Sequence, residues 1–313
     1  MGCVLACCST SKILAQLAPP PITNSLSSSF LNLWRFDDTA WLTSRGGYPP
    51  LSFTNIDNVA GFDNSALQVD NPDPAWLAYN VVEADNHTNF TCNTGTLLFW
   101  FVPNWESNDT NYFGTGPGDW ARLIDVGMWT SNATYGWWSL YLNPDGTSIT
   151  FSGQTNGFGS NYLTYPISWS ASWDDDQWHQ IALTYSATNS ALYIDGRLAT
   201  SGAGVIFRPN ATVLTNGFYI GSDVTGTNQA HGQFDNLRTY NYQLSAAAIY
   251  GFYTNPPATG LLPPQNSYPT NTTLLWSMPT EHGLLFGSPS LAPDGSLYVR
   301  ACLKKKGGCF PRA

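Results

Sequence analysis

Hydrophobic and polar residues alternate in short runs along the middle of the chain, and each run is bounded by Gly, Asn, Asp or Pro. Alternation with a period of two, rich in β-branched and aromatic residues, is typical of β-strands. The pattern predicts strands at 97–102, 138–142, 148–152, 180–185, 191–194 and 217–220. One segment, residues 244–253, has helical character, and Ser245 is placed to cap it. Many strands without βαβ alternation predict an all-β fold, an antiparallel jelly-roll β-sandwich.

Two turn sequences indicate hairpins. The segment NPDGTS, residues 143–148, joins two predicted strands, and Asp195-Gly196 ends another. Three acidic residues, 174–176, lie in the loop that enters the hairpin of residues 178–199. They are a candidate acid–base cluster, but three adjacent acids in one loop lack an environment that separates their pKa values. The sequence therefore favours a solvated turn at this position.

The composition provides enough aromatic residues for a large core, and the charge restricts the kinds of partner that the protein can bind. The chain holds 13 Trp, 16 Tyr and 16 Phe. All 21 acidic residues lie between Asp37 and Asp294, where only five arginines oppose them, so this stretch carries a net charge of −16. A body this acidic repels phosphate backbones, which argues against nucleic-acid binding and suits bound divalent cations. No run of 18 apolar residues occurs, so no transmembrane segment is predicted.

The two ends of the chain differ from the body in composition. Residues 1–29 are mildly apolar, and we interpret them as an N-terminal leader with a clipped or atypical signal segment. This interpretation predicts a secreted or cell-surface protein. Residues 255–273 are rich in proline and predict a semi-rigid linker, and residues 301–313 form a basic tail.

Six segments in the body of the chain resemble the strands of a known family and occur in the same order along the sequence. They are LWRFDD, GFDNSALQV, GTLLFWFVP, QWHQIALTYSATNSALYIDGRLA, FYIGSD and GQFDNLRTYNYQLS. With these segments, residues 30–254 resemble laminin-G-like modules of the concanavalin A-like lectin/glucanase superfamily, in the bacterial jelly-roll form. The resemblance implies two stacked antiparallel sheets and an extracellular role in recognition or adhesion.

A second resemblance concerns residues 274–300, which contain GSPSLAPDGSLYV. This segment is similar to one repeat of a pyrroloquinoline-quinone-type β-propeller. One blade cannot bury its own faces, and closed propellers need several. The resemblance therefore implies a partial repeat, a short hairpin-like fragment, and a chain that is a piece of a longer multidomain protein.

Catalytic chemistry has little support in the sequence. The resemblance implies that a hydrolase of this superfamily would carry two glutamates around an aspartate, as E-x-D-x-E on one strand. The chain has only three glutamates, Glu83, Glu106 and Glu281, and they lie far apart. It has no G-x-S-x-G segment. The sequence predicts a non-catalytic module, with a glycoside hydrolase or polysaccharide lyase of the same fold as a disfavoured alternative.

Calcium is the ion that the residues suit best, because it takes hard oxygen ligands from Asp, Asn and carbonyl groups. Several laminin-G-like modules bind calcium, and the resemblance implies ligands near the start and end of the domain, which a jelly roll brings together. The candidates are Asp37 and Asp38 in RFDD and Asp235 in QFDN, with Asp63 as a weaker one. The alternative for Asp235 is an acid that stabilises a turn at the start of a strand.

Tryptophans clustered around Gly-rich loops are the candidates for binding carbohydrate, because flat indole faces stack on sugar rings. They are Trp129, Trp137, Trp138, Trp169 and Trp173. Adjacent residues of a strand point to opposite faces, so at most one of Trp137 and Trp138 is in the core of a sheet with one buried face. The sequence thus predicts a non-catalytic module that binds a glycan or another extracellular polymer, with structural calcium. A purely architectural spacer is the alternative, and the oligomeric state is left open.

Overall fold

The computed structural model describes residues 30–108, 114–166, 173 and 177–256, together with the backbone of four two-residue strands nearer the C-terminus. The chain divides into two compact units, Met1–Pro263 and Pro264–Ala313. In the second unit, Leu285–Phe286 pairs with Ala301–Cys302 and Ser290–Leu291 pairs with Leu297–Tyr298, both antiparallel. The remainder of the propeller-like segment and the predicted leader lie outside the described residues.

The first unit is built from strands, as the alternating pattern predicts. In chain order its strands are β1 (Phe30–Trp34), β2 (Ser52–Thr54), β3 (Asp57–Ala60), β4 (Ser65–Val69), β5 (Trp76–Tyr79), β6 (Gly95–Pro103), β7 (Arg122–Gly127), β8 (Trp137–Leu142), β9 (Ser148–Thr155), β10 (Phe158–Pro166), β11 (His179–Tyr185), β12 (Asn189–Ile194), β13 (Arg197–Ala203), β14 (Phe218–Ile220) and β15 (Gly232–Tyr240).

These strands form two antiparallel sheets. The eight-stranded sheet has the order β13-β12-β11-β6-β15-β4-β3, with β1 also paired to β15, and the seven-stranded sheet has the order β10-β9-β8-β7-β14-β5-β2. Consecutive hairpin strands form one end of each sheet, whereas the central neighbours β6 and β15, and β7 and β14, are distant in the sequence, as in a jelly roll. The predicted all-β antiparallel sandwich is confirmed.

A large aromatic core lies between the two sheets. Its fully buried side chains include Trp34, Trp138, Trp173, Phe99 and Phe151. Burial of each such ring contributes on the order of 2–3 kcal/mol. Trp138 packs edge to face against Phe151, with ring centroids 4.8 Å apart. The core holds the two sheets together, so only the outer faces of the sheets are available to bind a ligand.

The outer side of the eight-stranded sheet is covered by a helix. Helix α2 (Ala246–Thr254) begins at its N-cap Ser245, whose side chain accepts a hydrogen bond from the Ala248 N–H, as the sequence predicted. A shorter helix, α1 (Ala211–Leu214), precedes β14. Ile249 and Phe252 of α2 pack on Leu98 and Ala182 of the sheet. No helix among the described residues is long and apolar enough to span a membrane.

At one side of the sandwich the outermost strands of the two sheets lie against each other. A Cβ atom added at Gly202 of β13 would lie 2.0 Å from the carbonyl oxygen of Tyr162 in β10. Only glycine permits so close an approach of two backbones. The sandwich is therefore closed between β10 and β13.

Candidate functional site

The outer face of the seven-stranded sheet carries aromatic and polar side chains. On β8, Trp138 points into the core, where its ring lies 5.0 Å from Phe90 and 5.3 Å from Tyr185. Trp137 and Tyr141 lie on the opposite, outer face, with ring centroids 5.6 Å apart. The two adjacent tryptophans therefore have different environments, in keeping with the strand alternation.

Arg122 of β7 lies against the two outer rings of β8. Its guanidinium carbon is 5.0 Å from the centroid of Trp137 and 4.9 Å from that of Tyr141, so both ring faces make cation–π contacts with it. Its Nε lies 3.7 Å from Oδ1 of Asp125, three residues further along the strand. The Trp137 Nε1–H donates to the same carboxylate oxygen at 2.8 Å. These contacts lock the orientation of the Trp137 ring.

Asp125 is an acid with almost no access to water. Its side chain is 1% exposed. Burial raises its pKa to about 6, while Arg122 and hydrogen bonds from Ser139 and Trp137 oppose the shift. Asp125 therefore supports the rings from below and has no surface from which to act on a ligand.

Above this support lies a cleft of about 230 Å³, which we call the aromatic cleft. It is lined by Trp120, Arg122, Trp129, Trp137 and Tyr141. Trp120 and Trp129 are 50% and 52% exposed, so their rings form the rim, and Trp137 and Tyr141 form the floor. Exposed indoles beside a preformed concave surface are unusual in a soluble domain and indicate a binding site.

A second concave surface of about 370 Å³ adjoins the cleft. We call it the polar groove, and its side-chain hydroxyls and amides come from Ser131, Asn132, Ser152, Gln154, Ser160 and Asn161. Trp129, Trp137 and Tyr141 line the cleft and the groove alike. The phenol oxygen of Tyr141 lies 3.4 Å from the Ser152 hydroxyl, which joins the two surfaces.

The loop that carries Trp129 is fixed to the sheet by Gln154 of β9. The Gln154 Nε2 donates to the Thr130 carbonyl at 3.0 Å, and its Oε1 accepts from the Thr130 N–H at 3.2 Å. The Gly157 N–H donates to the carbonyl of Ala133 at 2.9 Å. The exposed ring of Trp129 therefore stands on a loop whose backbone is held at two points.

The other candidate tryptophans do not reach this face. Trp138 and Trp173 are both fully buried, and the ring of Trp173 stacks on His179 at 5.4 Å and packs against Phe101. The prediction that these two residues stack on a sugar is wrong, because both rings are packed inside the core. Trp169 lies outside the described residues, as do the acids 174–176.

Three of the four predicted calcium ligands lie in segments that meet at a discontinuity in β15. The residues before Asn236 pair with β4 and those after it pair with β1, and Asn236 has a φ of +52°. Asp235 lies where the partner changes, Asp37 follows the end of β1, and Asp63 precedes β4. The Asp63 N–H donates to Oδ2 of Asp235 at 2.8 Å, and Oδ1 of Asp235 is buried without a partner.

The electrostatics of this group follow from burial and from like charge. Asp235 is fully buried, which raises its pKa to about 7, and the nearby carboxylates of Asp37 and Asp63 raise it further. Hydrogen bonds from the Asp63 and Asn236 backbones oppose the shift. An unpartnered buried oxygen flanked by two further carboxylates matches the donor chemistry of a hard cation.

Asp38 takes a different role. Its carboxylate accepts a hydrogen bond from the Ala40 N–H at 2.8 Å and closes an exposed turn. Across residues 30–108, 114–166, 173 and 177–256, no three His, Cys, Asp or Glu side chains converge as a ready metal centre. Calcium coordination at the Asp235 group would therefore draw on main-chain carbonyls and water as well.

Sequence reasoning missed Trp120, Arg122 and Tyr141. The signal for Tyr141 was present, because residues 137, 139 and 141 of the predicted strand share one face. No comparable signal marked Arg122, because its face depends on an irregularity of β7.

Solved structures with a similar fold include sugar-related and receptor-binding domains. Domain 4 of AbnA, a GH43 extracellular arabinanase from Geobacillus stearothermophilus, in complex with arabinotriose, is 16% identical with a TM-score of 0.52, covering 72% of this chain and 98% of that domain. The Botulinum neurotoxin type G receptor binding domain is 15% identical with a TM-score of 0.51, covering 72% of this chain and 51% of that one. The chain thus matches about half the length of the neurotoxin domain.

No curated protein matches the sequence at a significant level. Residues 78–250, more than half of the chain, match the Laminin_G_3 family. The matched segment includes every residue of the aromatic cleft and the polar groove. Strands β6 to β15 of the sandwich lie within this segment. The chain belongs to the Laminin_G_3 family of the concanavalin A-like lectin/glucanases superfamily.

Proposed function

We propose that the protein is a non-catalytic recognition module that binds a carbohydrate chain on the outer face of its seven-stranded sheet. The observation that carries the proposal is the aromatic cleft, with two half-exposed indoles above two locked rings. Indole faces stack on the C–H faces of sugars, and a rigid site spends little entropy on binding. Trp120 and Trp129 are the stacking residues, and Arg122 with Asp125 positions the floor.

A binding role is favoured over hydrolysis by the acid beneath the cleft. Retaining hydrolysis needs two carboxyl groups about 5–5.5 Å apart that reach the scissile bond. The carboxyl group under this cleft, Asp125, is buried beneath Trp137 and paired with Arg122. It is a positioning residue in this proposal.

The same proposal includes a structural calcium ion at Asp37, Asp63 and Asp235. The buried, unpartnered Oδ1 of Asp235 supports it, because a cation would satisfy that atom and neutralise the three carboxylates. The ion would tie the end of β1 and the start of β4 to β15. We further propose that the module works outside the cell, where laminin-G-like domains typically occur.

Affinity electrophoresis and a glycan array with the full chain test the binding proposal. Arabino-oligosaccharides are the first probe, since the similar arabinanase domain was solved with arabinotriose. Trp129→Ala and Trp120→Ala should each weaken binding by about tenfold or more, the effect of removing a stacking residue. The matched control is Tyr250→Ala, which removes a ring that is 49% exposed on α2. Blank arrays with the folded wild-type protein would leave the spacer interpretation in place.

A further inference from the structure

We propose that the aromatic cleft and the polar groove are two parts of one binding surface that takes a neutral glycan chain of at least two sugar units. This inference rests on the proposed function and specifies its ligand class. Three observations support the inference: the two cavities share lining residues, one cavity is aromatic and the other polar, and the surrounding charge is negative.

Continuity comes from three residues that belong to both surfaces. Trp129, Trp137 and Tyr141 line the cleft on one side and the groove on the other. The volumes of about 230 and 370 Å³ therefore lie next to each other and meet at these three side chains. A ligand that filled only the cleft would leave the polar groups of the groove to water.

The two parts have different chemistry. The cleft offers ring faces, which suit stacking on a sugar ring. The groove offers hydroxyls and amides, which suit hydrogen bonds to sugar hydroxyls. Trp120 lines only the cleft and Asn161 lines only the groove, so a ligand that contacts both of them spans the two cavities. Two linked sugars use both, with one unit on the rings and the next in the groove.

Charge decides between neutral and acidic sugars. Among the described residues that line the two surfaces, Arg122 alone is charged. Its guanidinium carbon lies about 5 Å from the rings of both Trp137 and Tyr141, and Asp125 lies 3.7 Å from its Nε, so its charge is offset within the protein. The surrounding stretch has a net charge of −16 from five arginines and 21 acids, and it repels uronate and sulfate groups. The surface therefore selects a neutral chain.

The test is titration calorimetry of the full chain with two ligand series. One series contains neutral arabino-, xylo-, gluco- and manno-oligosaccharides from single sugars to hexasaccharides. The other contains oligogalacturonides and oligomannuronides of the same lengths. We expect the affinity for one neutral series to rise by about tenfold or more from one unit to two or three, and the acidic series to bind more weakly at low salt.

Two variants separate the parts of the surface. Trp120→Ala should weaken binding of every ligand length, whereas Asn161→Ala should weaken binding of the longer ligands by about three- to tenfold and leave single sugars unchanged. Equal affinity for single sugars and longer chains overturns the two-part surface, and preference for the acidic series overturns the neutral ligand class. Either result would leave the proposal that the protein binds carbohydrate intact. Absence of binding to every member of both series overturns this inference together with the proposed function.

Discussion

Arg122 and Asp125 lie three residues apart on β7 and yet share one face of the sheet, with Nε and Oδ1 3.7 Å apart. In a regular strand, residues separated by three positions point to opposite faces. A bulge between Arg122 and Ile124 shifts the alternation by one residue, so Arg122 faces Tyr141 and Asp125 faces Ser139 on β8. The bulge therefore creates the ion pair that supports the aromatic cleft.

The first prediction concerns the strength of this pair. Removing one partner leaves a buried charge without compensation, which typically costs about 3–5 kcal/mol. We expect Arg122→Met to lower the free energy of unfolding at about pH 8, and to lower it by less when Asp125→Asn has already removed the carboxylate. Denaturant unfolding of the four proteins measures the coupling. Additive losses would show that the two side chains act independently.

The second prediction is a pH dependence that belongs to Asp125. Its pKa in the folded protein, about 6, lies above the usual value of 3.8, so folding favours the protonated acid. The stability that this acid contributes is complete below about pH 4 and is lost as the pH rises through 6. We therefore expect the melting temperature of the wild type to fall relative to that of Asp125→Asn over this window. Melting curves that stay parallel from pH 4 to 8 would contradict it.

The third prediction tests the calcium site. Burial raises the pKa of Asp235 to about 7, so protons compete with a cation for this carboxylate. Without metal, the stability contributed by Asp235 is present below about pH 4 and is lost as the pH rises through 7. Calcium should stabilise the protein by about 2.7 kcal/mol at pH 8 when its concentration is a hundred times Kd, and by less at pH 5.

Thermal melting with calcium or chelator at the two pH values measures this effect. Asp235→Asn should abolish the response. Asp38→Asn is the matched control and should retain it, because Asp38 closes a turn with Ala40. An identical melting temperature with calcium and with chelator at pH 8 would remove the ion from the proposal.

The fourth prediction separates two tryptophans that the sequence treats alike. Trp138 is fully buried, and Trp138→Ala should cost about 3–5 kcal/mol of stability through the cavity it leaves. Trp129 is 52% exposed, and Trp129→Ala should change stability by less than about 0.5 kcal/mol while it removes glycan binding. Unfolding curves and affinity electrophoresis on both variants provide the comparison. Equal losses of stability would show that the Trp129 ring is part of the core.

The fifth prediction concerns the loop that carries Trp129. Gln154→Leu removes both hydrogen bonds to the backbone of Thr130. We expect faster hydrogen exchange over residues 128–136 and weaker glycan binding, with little change in overall stability, because the loop lies outside the core. The matched control is Asn143→Ala in the β8–β9 turn, where the side chain bonds Ser148 and Thr147. Unchanged exchange in the loop would show that Gln154 does not position Trp129.

The sequence predicted the strands and both turns well, because those features are local. Gly146 takes a φ of +70° in the turn at 143–148, and Asp195 and Gly196 take φ values of +51° and +73° in the other. Strands can be predicted from the alternation of hydrophobic and polar residues, and this pattern depends only on residues that are neighbours in the sequence. The helix cap at Ser245 is equally local.

The site was predictable only in part, because it depends on which strands become neighbours. Trp137 lies in the cleft and Trp173 in the core, although both stand in Gly- and Ser-rich surroundings. Arg122 depends on the bulge in β7, and no residue type marks that bulge in the sequence. Asp37, Asp63 and Asp235 were selected through the family resemblance, and their proximity depends on β15 changing its partner at Asn236.

The close approach of Gly202 to Tyr162 also bears on how the protein behaves at high concentration. Strands that end a sheet with unpaired N–H and C=O groups recruit further strands from other molecules and seed fibrils. Here the two terminal strands shield each other, so little backbone is left along that side to recruit a neighbouring chain. A side chain as small as alanine at position 202 would push the two strands apart and expose their edges. We expect that single methyl group to make the protein prone to self-association.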